Sequence, residues 1–220
     1  MLPKAGFKGV RIMELRQAIE LRASVRRFKN EPLPLENLLE LVRLAGLSPS
    51  VNNAQPWKFY VVTRKALMEE MAQAVKKEID RLLSSTRAHE ENARSMVGFF
   101  STIFKDAPAL IAVATQPYEA MIDKLLSAGG LNHQEVNEMR NYPDVQSIGA
   151  CVQTLLLAAV DMGYGACWLS GMMVARRQLE SMLKIQLPWQ LASFVAVGKP
   201  ASPVRPREKK TLSEILEIID

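Results

Sequence analysis

The sequence predicts an α+β protein folded as one domain, residues 1–220. Three observations carry this reading: four short apolar runs of strand length, helical periodicity over much of the remaining chain, and a stretch from Val145 to Met162 that is apolar nearly all round, the mark of a helix buried on most sides. With 220 residues, 48% hydrophobic and 23% charged, the chain is long enough to enclose one substantial core.

Residues 14–21 and 35–46 read as helices; in the second, Leu38, Leu39, Val42 and Ala45 recur at helical spacing and Gly46 offers a stop. Phe59, Tyr60, Val61 and Val62 mark a strand over 58–63. A long amphipathic helix follows, with Met68, Met71, Ala72, Val75, Ile79, Leu82 and Leu83 on one face. A second helical stretch, roughly 88–104, carries Met96, Phe99, Phe100 and Ile103. The run PALIAVAT, 108–115, is continuously apolar and reads as a buried strand. Residues 118–143 are the least regular: a short helix, SAGGLN, then a polar segment ending at Pro143, either a solvated loop or a cover over a site. Beyond the central helix, strands at 164–169 and 192–198 bracket a helix at about 174–184. The tail TLSEILEIID opens on Thr211 and Glu214 at capping-box spacing, which suggests a terminal helix docked on something, such as a partner subunit.

Several classes of function find no support. The longest apolar stretch without charge, residues 145–160, falls short of the roughly 20 residues needed to span a bilayer, so no membrane segment is expected. MLPKAGFKGVRIME lacks a continuous apolar h-region, so a secretory signal is not expected and the cytoplasm is the default compartment. Cys151 and Cys167 sit in apolar runs and read as buried, reduced thiols; His89 and His133 are isolated, and no metal-ligand spacing occurs. A net charge of +5 would permit binding of nucleic acid or of an anionic small molecule. Without a zinc-finger, aromatic RNA-binding or Gly-rich basic motif, nucleic acid is not the expected partner.

Four stretches carry groups suited to chemistry. In LRASVRRF, Arg22, Ser24 and Arg26 alternate, so an extended backbone would point them to one side. Two guanidiniums flanking a hydroxyl make a phosphate receptor through paired charge-assisted hydrogen bonds, although such an alternation also occurs on solvated surfaces. Arg205 and Arg207, stiffened by Pro206, form a second basic cluster that nothing in the spacing brings to Arg22. SPSVNNAQPWKF supplies amides; Asn53 and Gln55 could read the edge of a heterocycle or simply stabilise a turn. In GYGACWLSG, Gly163, Gly165 and Gly171 permit close backbone approach, and N–H groups near Ser170 and Gly171 could face a ligand. This is not the dinucleotide fingerprint, and no nucleophile elbow, phosphate loop or zincin motif occurs elsewhere. The available groups suit holding a phosphorylated heterocycle whose own ring performs the reaction.

Taken in order, RASVRRF, SPSVNNAQPWKF, DAPALIAVAT, GACVQTLLLAAVDMGYGACWLSG and VAVGKPASPVRPR give a chain that resembles the nitroreductase-like FMN-dependent oxidoreductases from about Leu15 to Arg207. The resemblance implies an α+β fold with a central mixed, mainly antiparallel sheet flanked by helices, assembled as a homodimer with FMN in a cleft at each side of the interface. It implies that Arg22, Ser24, Arg26 and Arg207 hold the phosphate and ring edge, that Asn53 contacts the flavin with Gln55 beside it, and that Trp168, Leu169, Ser170 and Gly171 lie along the ring. It further implies NADH or NADPH as electron donor and a nitroaromatic, quinone or related small oxidant as acceptor, in a ping-pong sequence. Reductive dehalogenation, dehydrogenation of a small substrate, and non-enzymatic flavin binding remain open on the same scaffold. No acid or base side chain is assigned, because the reactive atoms belong to the cofactor. Some family members carry a glutamate where this chain has Ser170, and the lid signatures of the deiodinase and flavin-fragmenting branches are not matched.

Overall fold

Four strands, β1 (Trp57–Val62), β2 (Ala109–Thr115), β3 (Gly165–Leu169) and β4 (Gln190–Gly198), form one sheet in the order β1-β2-β4-β3, every neighbouring pair antiparallel. The computed structural model describes residues 13–84, 91–117 and 120–219. Side chains of a strand alternate between faces, and this explains why β2 is apolar throughout. Leu110 and Ala112 join Phe194 and Ala196 in the core on one face, while Ile111 and Val113 join Val195 and Val197 on the other.

The first core is closed by helices α3 (Lys65–Ser84) and α8 (Arg176–Met182), with Met68, Met71, Val75 and Ile79 of α3 packed among Phe104, Met172 and Leu179, and α4 (Glu91–Thr102) lies against α3. The second is closed by α2 (Leu35–Ala45) and α7 (Pro143–Asp161), whose Ile148, Cys151, Val152 and Leu155 meet Leu38, Leu41 and Ala45. By length and composition α7 could cross a membrane, but it packs as the core helix of this layer. Pro143 opens it at a position where no intrahelical N–H is needed. It closes through paired bonds, Gly163 N–H to Val160 C=O (3.0 Å) and Tyr164 N–H to Ala159 C=O (2.7 Å), with Gly163 at φ +76°. Gly163 is thus a helix stop rather than a place of ligand approach.

The remaining helices are α1 (Leu15–Leu21), α5 (Met121–Ala128), α6 (His133–Met139) and the four-residue α9 (Leu212–Ile215). The polar segment after SAGGLN folds as α6 because Asn132 Oδ1 accepts from the N–H groups of Gln134 and Glu135 while Glu135 reaches back to Asn132 N–H (2.7 Å). An Asp123–Arg140 ion pair ties α5 to α6. The helix expected at 174–184 divides into a 3₁₀ turn, Gly171–Ala175, and α8; the one expected at 88–104 is α4 followed by a 3₁₀ turn, Ile103–Asp106. Residues 88–90 with His89, residues 1–12 of the N-terminal stretch searched for a signal, and residues 118–119 lie outside the described residues. The expected capping box of Thr211 and Glu214 is present, with Glu214 held below the usual carboxylate range by the backbone N–H of Thr211. Among the described residues the helix it starts docks on nothing, and every described residue from Ala201 on is exposed.

Candidate functional site

Residues 22–29 run as an extended segment beside β3. Val25 N–H donates to Ala166 C=O (3.0 Å), Lys29 N–H to Lys199 C=O (2.8 Å), and Ala201 N–H to Arg27 C=O (3.0 Å). The Ser24–Ala166 bridge is parallel, in contrast to the four antiparallel strands. This insertion is made possible by Gly165, where an added Cβ would lie 2.6 to 2.9 Å from the atoms of Val25. Because the segment is pinned on one side to β3 and on the other to the exit of β4, it delivers Arg22, Ser24 and Arg26 next to the chain leaving the sheet. That chain carries Arg205, Arg207 and Lys209, and the six residues line one cleft of about 110 Å³ with Ala23. A neighbouring hollow of about 260 Å³ runs between residues 23–27 and 202–205. Among the described residues, none of the ion pairs involves Arg22, Arg205, Arg207 or Lys209. A cluster of cations with a hydroxyl and without carboxylates is a receptor for an anion such as a phosphate. In the sequence Lys209 belongs to the same basic grouping as Arg205 and Arg207, but spacing assigns neither Arg205 nor Lys209 to the site and does not join the two basic clusters; only the pairing of 22–29 with the end of β4 does so.

From this cleft β3 leads, over roughly 16 Å for five residues, to the stretch Trp168–Gly171. Leu169 turns into the first core and is buried, while Trp168, Ser170 and Gly171 are exposed. Trp168 rests on the side of α7, 3.9 Å from where a Cβ at Gly149 would stand. At Gly171 the close neighbour is Ser101 of α4, whose Oγ would lie 2.6 Å from an added Cβ. Arg26 stacks on the Phe100 ring of the same helix at 5.6 Å. Burial pushes the Cys167 thiol up, opposed by the nearby Arg26 cation and a hydrogen bond with Ser24. The end of α4 therefore touches both the arginine segment and the glycine loop, a role its sequence does not announce.

Asn53 and Gln55 lie elsewhere. Their loop enters β1, the strand at the opposite edge of the sheet from β3, three inter-strand steps or roughly 14 Å away. It is fastened to the other flank of α7, Val51 N–H donating to Ser147 Oγ (3.2 Å) and Ser48 Oγ to Thr154 Oγ1 (2.6 Å). Asn52, Asn53 and Gln55 have φ of 53°, 53° and 48°, a left-handed backbone that asparagine tolerates and glutamine adopts with strain. Gln55 holds the turn by donating from Nε2 to Asn53 Oδ1 (3.3 Å) and from its N–H to Ser50 Oγ (2.9 Å). Both amides remain exposed. The single chain therefore unites Arg22, Ser24, Arg26 and Arg207 and connects them to Trp168–Gly171, but does not bring Asn53 and Gln55 to them.

Gln134, Asn137, Tyr142, Asp144 and Val145 stand over the end of the sheet. A cavity of about 380 Å³ lies between Tyr142 and Asp144 on that side and Thr115, Gln190 and Met173 below. The hydroxyl of Thr115 is buried there without a hydrogen-bond partner among the described residues.

Comparison with known proteins adds the following. The family model described as the Nitroreductase family matches residues 19–199. The chain is 27% identical to an iodotyrosine deiodinase of Nematostella vectensis over 205 residues, covering 92% of this chain and 74% of that protein. Its fold is similar to that of a BluB-like flavoprotein from Clostridium difficile 630, with TM-score 0.84, 29% identity, and 94% and 100% of the two chains covered. It is also similar to a nitroreductase with bound FMN from Desulfitobacterium hafniense DCB-2, with TM-score 0.71, 21% identity, and 96% and 100% covered.

Proposed function

Since this chain belongs to the nitroreductase family, we propose that it is a single-domain, cytoplasmic, FMN-dependent oxidoreductase that takes hydride from NADH or NADPH and passes electrons to a nitroaromatic, quinone or related small oxidant in a ping-pong sequence. The observation that carries this reading is the cationic cleft of Arg22, Ser24, Arg26, Arg205, Arg207 and Lys209 at one end of β3, with Trp168, Ser170 and Gly171 exposed at the other. Its donor set fits FMN: guanidiniums and a hydroxyl for the phosphate, then the exposed Trp168, Ser170 and Gly171 for the ring. FMN, when bound, supplies reversible two-electron chemistry. The chain's own share is to hold the phosphate, to present backbone N–H groups at Ser170 and Gly171, and to keep the ring against Trp168.

Asn53 and Gln55 are assigned to the same pocket through a second copy of the chain. Two observations support a homodimer: their distance from the cleft within one protomer, and a C-terminal segment whose Leu212, Ile215, Leu216, Ile218 and Ile219 are all exposed. Apolar side chains in such number at a chain end are expected to be covered by another surface. A second reading, reductive dehalogenation on the same scaffold, is favoured by the similarity to iodotyrosine deiodinase.

The test is flavin retention. Replacing a charged donor to a phosphate removes charge-assisted hydrogen bonds, so Arg22→Ala and Arg207→Ala are each expected to weaken FMN binding roughly ten- to a hundredfold. If both variants purify with a full complement of flavin, the phosphate assignment fails.

A further inference from the structure

The cavity of about 380 Å³ between the start of α7 and the end of the sheet shares no residue with the cationic cleft. It lies beyond the other end of β3, where the chain runs on from Gly171 to Met173, and its volume is that of a pocket for a small organic molecule. Two charged residues line it, Asp144 and Arg176, and they are unequally served. Arg176 donates from Nε to Glu180 Oε1 (3.1 Å) and from a terminal nitrogen to Gln190 Oε1 (2.7 Å), so its charge is already met by Glu180. Asp144 is only 8% exposed, yet its carboxylate accepts one hydrogen bond, from the Val145 N–H at Oδ1 (2.9 Å), and enters none of the ion pairs among the described residues. Its place in the first turn of α7 lets the helix dipole offset part of the charge, but a dipole supplies no hydrogen bond to Oδ2.

We propose that this cavity is a binding site for a small primary amine, held as its ammonium against Asp144. A carboxylate so far removed from water is costly unless it is paired, and the group it lacks in its own chain is a cationic N–H donor, which forms the stronger, charge-assisted kind of hydrogen bond. The same wall holds the Thr115 hydroxyl, buried without a partner among the described residues, and Pro117 and Met173 offer apolar surface for the organic part of the ligand. An anionic ligand is disfavoured, because Asp144 would repel it and Arg176 is engaged elsewhere. The site goes beyond the flavin reading and does not depend on it: neither Asp144 nor Met173 belongs to the cationic cleft.

The test titrates benzylamine, and benzyl alcohol as its neutral counterpart, into the FMN-reconstituted protein in a calorimeter. Benzylamine is expected to bind saturably and roughly tenfold or more tightly than benzyl alcohol. Asp144→Asn keeps an acceptor for the Val145 N–H and removes the charge, so it is expected to weaken benzylamine roughly ten- to a hundredfold and to leave benzyl alcohol within about twofold. Gln134→Trp, at an exposed position on the rim, is expected to narrow the cavity and weaken both ligands, which keeps the proposal open to refutation where Asp144→Asn does not fold. Benzylamine that does not saturate, that binds no more tightly than benzyl alcohol, or that keeps its affinity in both variants would overturn the proposal. So would displacement of benzylamine by FMN from the flavin-free protein, which would put the amine in the cationic cleft. A protein that stays colourless after reconstitution would contradict the flavin reading instead, and the calorimetric titration would still decide the amine site.

Discussion

A methyl group at Gly165 would press into Val25, and through it move Ser24 and Arg26. Gly165→Ala is therefore expected to lower both thermal stability and FMN content, and the double variant with Val25→Ala to recover both, as measured by melting temperature and bound flavin per chain. Recovery would show that the glycine acts by admitting the segment, not through its backbone conformation. Cys151 makes a second case. Burial pushes its thiol up to about 12 from an ordinary value of 9.0, so the native protein keeps it protonated. Because the folded state disfavours the thiolate, this contribution to stability is complete below pH 9 and is lost as pH rises toward 12. Cys151 is expected to resist iodoacetamide at pH 8 in the native protein and to react in urea, a contrast that mass spectrometry reads directly. At this scale the sequence was informative about Arg22, Ser24 and Arg26, whose alternation requires only an extended backbone. It could not separate Gly163, a helix stop, from Gly165 and Gly171, which admit Val25 and Ser101, because a glycine's letter does not say which neighbour approaches it.

Among the elements, α7 carries the second core. Leu155 is fully buried between α2 and the sheet, and Leu155→Ala is expected to cost about 2–5 kcal/mol in urea unfolding through lost burial and the cavity left behind. A loss below about 1 kcal/mol would mean that this layer is less tightly packed than described. The strands and α7 were legible because continuous apolar runs have a single explanation in a chain of this size: burial on both faces. Helix α6 was not, because its stability comes from the Asn132–Glu135 cap and it buries little beyond Val136, so no apolar period marks it. The tail shows the opposite case: the Thr211–Glu214 cap was legible, yet the helix it starts ends after four residues, its apolar side chains finding nothing to pack on among the described residues.

At the level of the whole molecule, the candidate site is divided between the two edges of one sheet. The resemblance assigned Asn53 and Arg22 to one cofactor, but sequence order does not tell which edge each reaches; the strand order β1-β2-β4-β3 does. If the proposed homodimer is held by the tail, a chain lacking residues 211–220 is expected to shift from dimer toward monomer in sedimentation and to lose flavin in proportion, since part of each pocket would leave with the partner. Persistence of a flavin-loaded dimer would remove the tail from the assembly. The central claim, a flavin reduced by a nicotinamide nucleotide and reoxidised by a small acceptor, is tested most directly by the anaerobic absorbance spectrum of the purified protein before and after NADH and then NADPH, with the released cofactor identified. The expected result is an FMN spectrum that bleaches with at least one donor and returns when a nitroaromatic or quinone is added. A flavin that stays oxidised with both donors, or a protein that binds no FMN on reconstitution, would contradict it.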